Sequence, residues 1–121
     1  MKHLSLQFTE ESAAEVLPLA SRYGWGLELT SFFYPSLIDH PVELVESHRE
    51  WLGGFAGLRS IHGAFYDLSP GATDRLIREA TLMRIRQGIG FAHEMNASHV
   101  SFHNSHPGHS RFDSGWVERS A

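Results

Sequence analysis

The sequence predicts an α/β fold of the (β/α)8 TIM-barrel type, represented by about its first four β/α units. Three observations carry this. Short strand-like segments alternate with longer helix-like ones in the order β-α-β-α-β-α-β. Such alternation implies parallel strands joined by right-handed crossovers. The strand-like segments are apolar only at every second residue, so one sheet face can receive helices and the other stays polar. A doubly wound sheet needs apolar residues on both faces, whereas a barrel keeps polar side chains near the mouth of its interior. The third observation is length: a closed barrel needs about 200 residues or more, and this chain has 121.

The first strand is expected over residues 3–8, where Leu4, Leu6 and Phe8 alternate with Ser5 and Gln7. A helix follows over about 10–23. Thr9 is a candidate N-cap, Ala13, Val16, Leu17 and Ala20 form an apolar face, and Gly24 is a natural stop. The second strand, 26–32, sets Leu27 and Leu29 against Glu28 and Thr30. The second helix, about 41–55, begins at Pro41, where a missing N–H costs little, and buries Leu44, Val45, Leu52 and Phe55. In the third strand, 58–65, Ile61 is flanked by Ser60 and His62. The third helix spans about 73–95, with Ile85, Ile89 and Ala92 at helical spacing, Gly88 permitting a close approach, and Asn96 suited to a left-handed end. The fourth strand, 99–104, alternates Val100 and Phe102 with Ser101 and His103, and "DSGWVERSA" reads as a helix beginning.

Composition removes several function classes. A formal net charge of −4 gives no electrostatic pull toward nucleic acid or anionic membranes. No apolar run approaches the roughly 20 residues that span a bilayer. Cysteine is absent, so disulfides and thiolate chemistry are excluded. The first residues, "MKHLSLQFTEES", lack the apolar core of a signal peptide. A cytoplasmic protein is the expectation.

Two stretches concentrate the chemistry. "RSIHGAFYDLSPG" (59–71) delivers His62 at a strand end just before a turn, and "HVSFHNSHPG" (99–108) does the same with His103. In a β/α barrel the C-terminal strand ends point into the active site. His62, His103 and Glu28 are therefore the candidate substrate-binding residues. Glu28 alternatively makes a structural hydrogen bond, since an inward carboxylate is costly unless paired. His106 and His109 fall beside a Pro-Gly turn and read as loop residues. His93 and His99 read as packing or surface residues, and Asp67 as a cap of the turn after the third strand. Trp25, Phe32, Phe33 and Tyr34 form either an apolar wall of the mouth or part of the core. Arg78, Arg84 and Arg86 read as solvated charge.

"GLELTSF", "IHGAFYDLSPG", "RIRQGIGFAHEMNA" and "HVSFHNS", in this order, resemble the xylose-isomerase-like TIM barrels. This superfamily holds sugar-phosphate isomerases and epimerases together with apurinic-site endonucleases. The resemblance covers almost the whole chain and implies a domain over residues 1–121 that is the N-terminal half of such a barrel. It implies a divalent metal (Mn, Mg, Co or Zn) at the mouth, with ligands mainly on strands five to eight, so catalytic residues are expected beyond Ala121. The implied reaction is metal-assisted proton transfer next to the carbonyl of a small polyhydroxylated substrate, with this chain incomplete and inactive alone. His62 and His103 match pocket-lining positions of the isomerase branch. In the endonuclease branch the same positions bind zinc, which gives the alternative of a zinc-dependent phosphodiesterase. A third reading is a non-catalytic half-barrel assembly module that forms a homo-oligomer. The Asp67-Leu68-Ser69-Pro70-Gly71 continuation favours the isomerase branch, hence no nucleic acid and no membrane as partner.

Overall fold

The structure, a computed structural model, describes residues 4–104 and 118–119. Four strands form one parallel sheet: β1 (Ser5–Phe8), β2 (Gly26–Leu29), β3 (Arg59–His62) and β4 (His99–Ser101). Their spatial order is their chain order, β1-β2-β3-β4. Right-handed crossovers that always advance in one direction put every helix on the same face. The helices are α1 (Ala13–Tyr23), α2 (Pro35–Ile38), α3 (Pro41–Leu52) and α4 (Arg75–Glu94).

The ladder register fixes the two faces. Phe8 pairs with Leu29, Leu29 with Ile61, and Ile61 with Val100. Phe8, Leu27, Leu29 and Ile61 are fully buried, in one cluster with Ala13 and Ala20 of α1, Leu44, Val45 and Leu52 of α3, and Phe91 of α4. Full burial of side chains this size stabilises by about 1.5–3 kcal/mol each. On the other face Gln7 pairs with Glu28, and Glu28 with Ser60. His62 and Ser101 continue that polar face. The one-sided sheet read from the alternation is thus the observed one.

The strands are shorter than the alternation suggests, because the side-chain pattern runs on after the ladder stops. Thr30 leaves the sheet, and Ser31–Phe33 form a 3-10 turn that buries Phe32 in the core. Pro35 then opens the short α2, which the sequence reading missed. At the start of α1 it is Ser12, not Thr9, that occupies the N-cap. Thr9 and Ser12 exchange bonds instead, Thr9 N–H to Ser12 Oγ and Ser12 N–H to Thr9 Oγ1. Leu4, expected under a helix, is exposed ahead of the first ladder pair. The third helix is rotated from its expected face: Thr81, Gly88 and Phe91 are buried, while Ile89 is 45% exposed. Gly24 (φ 67°) and Asn96 (φ 53°) are left-handed, as expected of residues that end α1 and α4.

Arg59 secures the helix ends. As the first residue of β3 it pairs with Leu27 on the helix-facing side. Its guanidinium donates to Leu52 O (3.1 Å) and Phe55 O (2.7 Å) after α3 and to Met95 O (3.2 Å) after α4. Leu52 O also accepts the Phe55 N–H (3.0 Å), and Phe55 O and Met95 O lie beyond the helical ladders.

Candidate functional site

Two strand ends converge on an imidazole pair. His62 ends β3, and His103 follows β4 on the same polar face, by the two-residue period of extended chain. Their Nε2 atoms lie 3.0 Å apart. His62 Nδ1 lies 3.0 Å from Gly63 O. A carbonyl only accepts, so Nδ1 carries the proton. A neutral His62 then has a bare Nε2, and His103 Nε2–H must donate to it. The pair can accept or pass on a proton at a partly exposed strand end.

An aromatic wall encloses the pair. The Phe33 ring meets His62 edge-on at 4.9 Å, and Phe65 lies 5.3 Å from His62 and 4.5 Å from His103. Tyr66 stacks on Phe65 at 4.4 Å, and Tyr34 packs on Phe33 at 4.4 Å. Local backbone places Phe65 and Tyr66 there. Asp67 is left-handed (φ 59°), a conformation Asp tolerates, so the chain reverses and Leu68 N–H returns to Phe65 O (3.3 Å). Ser69 N–H donates to Thr81 Oγ1 on α4 (2.9 Å), and Arg78 Nη1 donates to Ala72 O (2.6 Å) and Thr73 O (2.8 Å). The loop after β3 is thereby fixed to the helix that follows it. Arg119 Nε adds a bond to Gly71 O (2.8 Å).

Of the three expected pocket residues, the structure brings His62 and His103 together. Glu28 is on the same face but level with Ser60, two residues below His62 and so about 7 Å deeper along the strand. Its carboxylate is half-buried, with no hydrogen bond or ion pair among the described residues. The four aromatics named from sequence divide: Phe33 and Tyr34 line the mouth, Phe32 is core, and Trp25 stacks on Tyr23 at the opposite end of β2. Asp67 serves the turn by its backbone, not by a side-chain cap. Arg84 is a correction: it is largely covered and donates to Asp39 Oδ1 (2.6 Å), joining α4 to the end of α2. Arg78 is likewise a loop anchor rather than free surface charge. His93 and His99 are exposed. His106 and His109 lie outside the described residues.

Sequence reasoning missed His48. It is fully buried on α3, edge-on to Phe8 (5.8 Å) and Phe32 (4.9 Å). Its Nδ1 donates to Leu44 O (2.9 Å), and Nε2 has no partner among the described residues. Burial pushes its pKa down, against smaller opposing contributions from the Leu44 carbonyl and Glu10. The signal was available: with Leu44, Val45 and Leu52, position 48 completes the i, i+4 buried stripe. A groove of about 440 Å³ lies elsewhere, between α3 and α4. It holds no imidazole, and its Arg49 and Glu94 neutralise each other.

Metal chemistry fits this pair only in part. A histidine that donates its second ring nitrogen to a backbone carbonyl is oriented as metal-ligating histidines usually are, and His62 does so. Among the described residues no group of three or more potential ligands converges, so the pair would supply two ligands of a larger set.

No family model matches the chain, and no curated protein matches it in sequence. Solved structures do match. The TTHB071 protein from Thermus thermophilus, in a structure described as soaking with ZnCl2, superposes with a TM-score of 0.66 at 30% identity, covering 90% of this chain and 41% of that one. A D-tagatose 3-epimerase-like protein gives a TM-score of 0.71 at 17% identity over 98% of this chain and 45% of that one. The chain spans less than half the length of either. The fold is therefore a portion of a (β/α)8 barrel. The fold shared with the D-tagatose 3-epimerase-like protein agrees with the fold that the sequence resemblance implies.

Proposed function

We propose that this chain contributes one side of the substrate pocket of a sugar or sugar-phosphate isomerase/epimerase. The observation that carries the reading is the His62–His103 pair, 3.0 Å apart, set in an aromatic wall at the C-terminal strand ends. A small polyhydroxylated carbonyl compound suits this arrangement. Its C–H faces can lie against Phe33 and Phe65, and its hydroxyls can exchange hydrogen bonds with the imidazoles. Resemblance to a D-tagatose 3-epimerase-like fold supports the same class. A divalent metal, held mainly by carboxylates from strands beyond these four, would polarise the carbonyl and stabilise the enediolate. His62 and His103 bind and orient the substrate, and Glu28 takes part from the deeper layer. On this reading the 121-residue chain alone turns over no substrate. It acts in the cytoplasm without nucleic acid or membrane, and no described helix is long and apolar enough to cross a membrane.

Calorimetry with ketoses and ketose phosphates, with and without Mn2+, tests this on the protein and on His62→Ala and His103→Ala. The loss of one imidazole contact, about 1–1.5 kcal/mol, predicts roughly tenfold weaker binding in each variant with little change in melting temperature. Equal affinities in all three proteins would remove the site.

One observation favours the zinc-phosphodiesterase alternative: the Gly63 carbonyl orients His62 through Nδ1 and leaves its Nε2 bare, so once His103 Nε2 gives up its proton both Nε2 atoms could ligate one zinc ion. The Thermus structure carries ZnCl2 in its description. Zinc binding that needs both histidines, with no affinity for any sugar, would shift the assignment there. The acidic charge balance weighs against a DNA substrate.

A further inference from the structure

His103 is set by very little of its own. Its side chain is exposed, and among the described residues its hydrogen bond is to His62. The strand before it has three residues, the shortest of the sheet. Yet the pair needs the two Nε2 atoms to meet within a few tenths of an ångström. Phe65 touches both rings on the mouth side, and a second contact lies on the opposite face.

Phe102, the neighbour of His103, points to the helix side, where its ring covers Gly63 and reaches Gly88 on α4. A Cβ on Gly88 would stand 2.8 Å from Phe102 Cζ and 2.9 Å from Cε1, and one on Gly63 would fall closer still to the ring edge. Neither glycine has a positive φ. Their use here is the space they leave, not backbone freedom. Gly63 N–H also donates to Ser101 O (2.8 Å), and Gly63 O accepts from His62 Nδ1. Two dipeptides, His62-Gly63 and Phe102-His103, thus face each other across the ladder. Their outer halves interlock, and their inner halves form the imidazole pair.

We infer that Phe102, seated on Gly63 and Gly88, is a positioning residue that sets the His62–His103 separation. This rests on the reading of that pair as the pocket. Phe102 touches no substrate. It ties the end of β4 to β3 and to α4 together, so a shift of α4 is transmitted to His103. Gly88 is then retained in mid-helix for this contact, although alanine is the better helix former.

The test reads the pair directly and needs no substrate. With 15N-labelled histidine, the Nε2–H···Nε2 bond gives a scalar coupling between the two nitrogens. The unmodified protein should show it. Gly88→Ala, which pushes on the ring, and Phe102→Leu, which removes it, should each abolish it while the protein stays folded by circular dichroism. Gly88→Ala combined with Phe102→Leu should restore part of it, because the new methyl occupies space the ring has left. A coupling undiminished in both single variants would overturn the positioning role. A coupling missing from the unmodified protein would overturn the pair itself and the pocket reading with it, a result distinguishable from failure of the Phe102 contact. Should Gly88→Ala fail to fold, Phe102→Leu alone decides by the same reading.

Discussion

His48 shows how one side chain links pH to stability. Its folded pKa lies below the ordinary 6.5, with burial as the largest cause. The unfolded chain therefore binds more protons than the folded one as pH falls below that value. Stability is full above about pH 6.5 and is lost as pH drops toward the folded pKa, at up to about 1.4 kcal/mol per pH unit. Urea midpoints measured from about pH 8 to about pH 5 should be level at first and then decline. His48→Leu should flatten the decline between about pH 6.5 and about pH 5, leaving only what the carboxylates contribute. An identical slope in that variant would place the effect elsewhere. The i, i+4 spacing of His48 from Leu44 and Leu52 marks it for burial, and Phe8 and Phe32 close over it from β1 and from the turn after β2.

At the scale of elements, Arg59 makes a second test. Its three carbonyl partners hold the C-terminal ends of α3 and α4 against the start of β3. Arg59→Ala should cost about 2–3 kcal/mol, since charge-assisted bonds and the packing of the side-chain stem are lost together. Arg59→Lys should recover only part, because a single ammonium cannot fork between the two helix ends. Chemical denaturation of both variants measures this. The elements themselves were largely legible. Leu27 and Leu29 alternating with Glu28, and Ile61 between Ser60 and His62, fixed both the strands and their apolar face. Gly24 and Asn96 ended their helices as their residue types imply. What was illegible depends on distant partners. Thr30 leaves the sheet to donate its hydroxyl to Phe8 O (3.2 Å). The buried face of α4 is chosen by Phe91 and Gly88 meeting Phe32 and Phe102, not by Ile89. The candidate site divides the same way. The two strand-end histidines could be read from alternation, but Phe65 and Tyr66 could not, because their place depends on the left-handed Asp67 and a loop pinned to Thr81.

At the scale of the molecule, the sheet is closed on one face and open on the other. Among the described residues β1 and β4 each pair on one side only, so each presents unsatisfied backbone donors and acceptors. In a whole barrel such edges meet further strands, and the polar face of Gln7, Glu28, His62 and Ser101 lines the interior. The 121-residue chain should therefore self-associate through β1 and β4, and its mean mass by light scattering should rise with concentration. A compact monomer at high concentration, with strongly protected amides in Ser5–Phe8 and His99–Ser101, would indicate instead that these edges are covered within one chain. The central claim, that His62 and His103 together form the substrate contact, is tested most directly by the ring nitrogens of the nine histidines. Their 15N resonances can be followed as ketoses and ketose phosphates are added in the presence of Mn2+. The account predicts that the His62 and His103 signals move together and saturate, while those of His48, His93 and His99 stay in place. No movement of either signal with any of the sugars, or movement confined to histidines outside the pair, would contradict it.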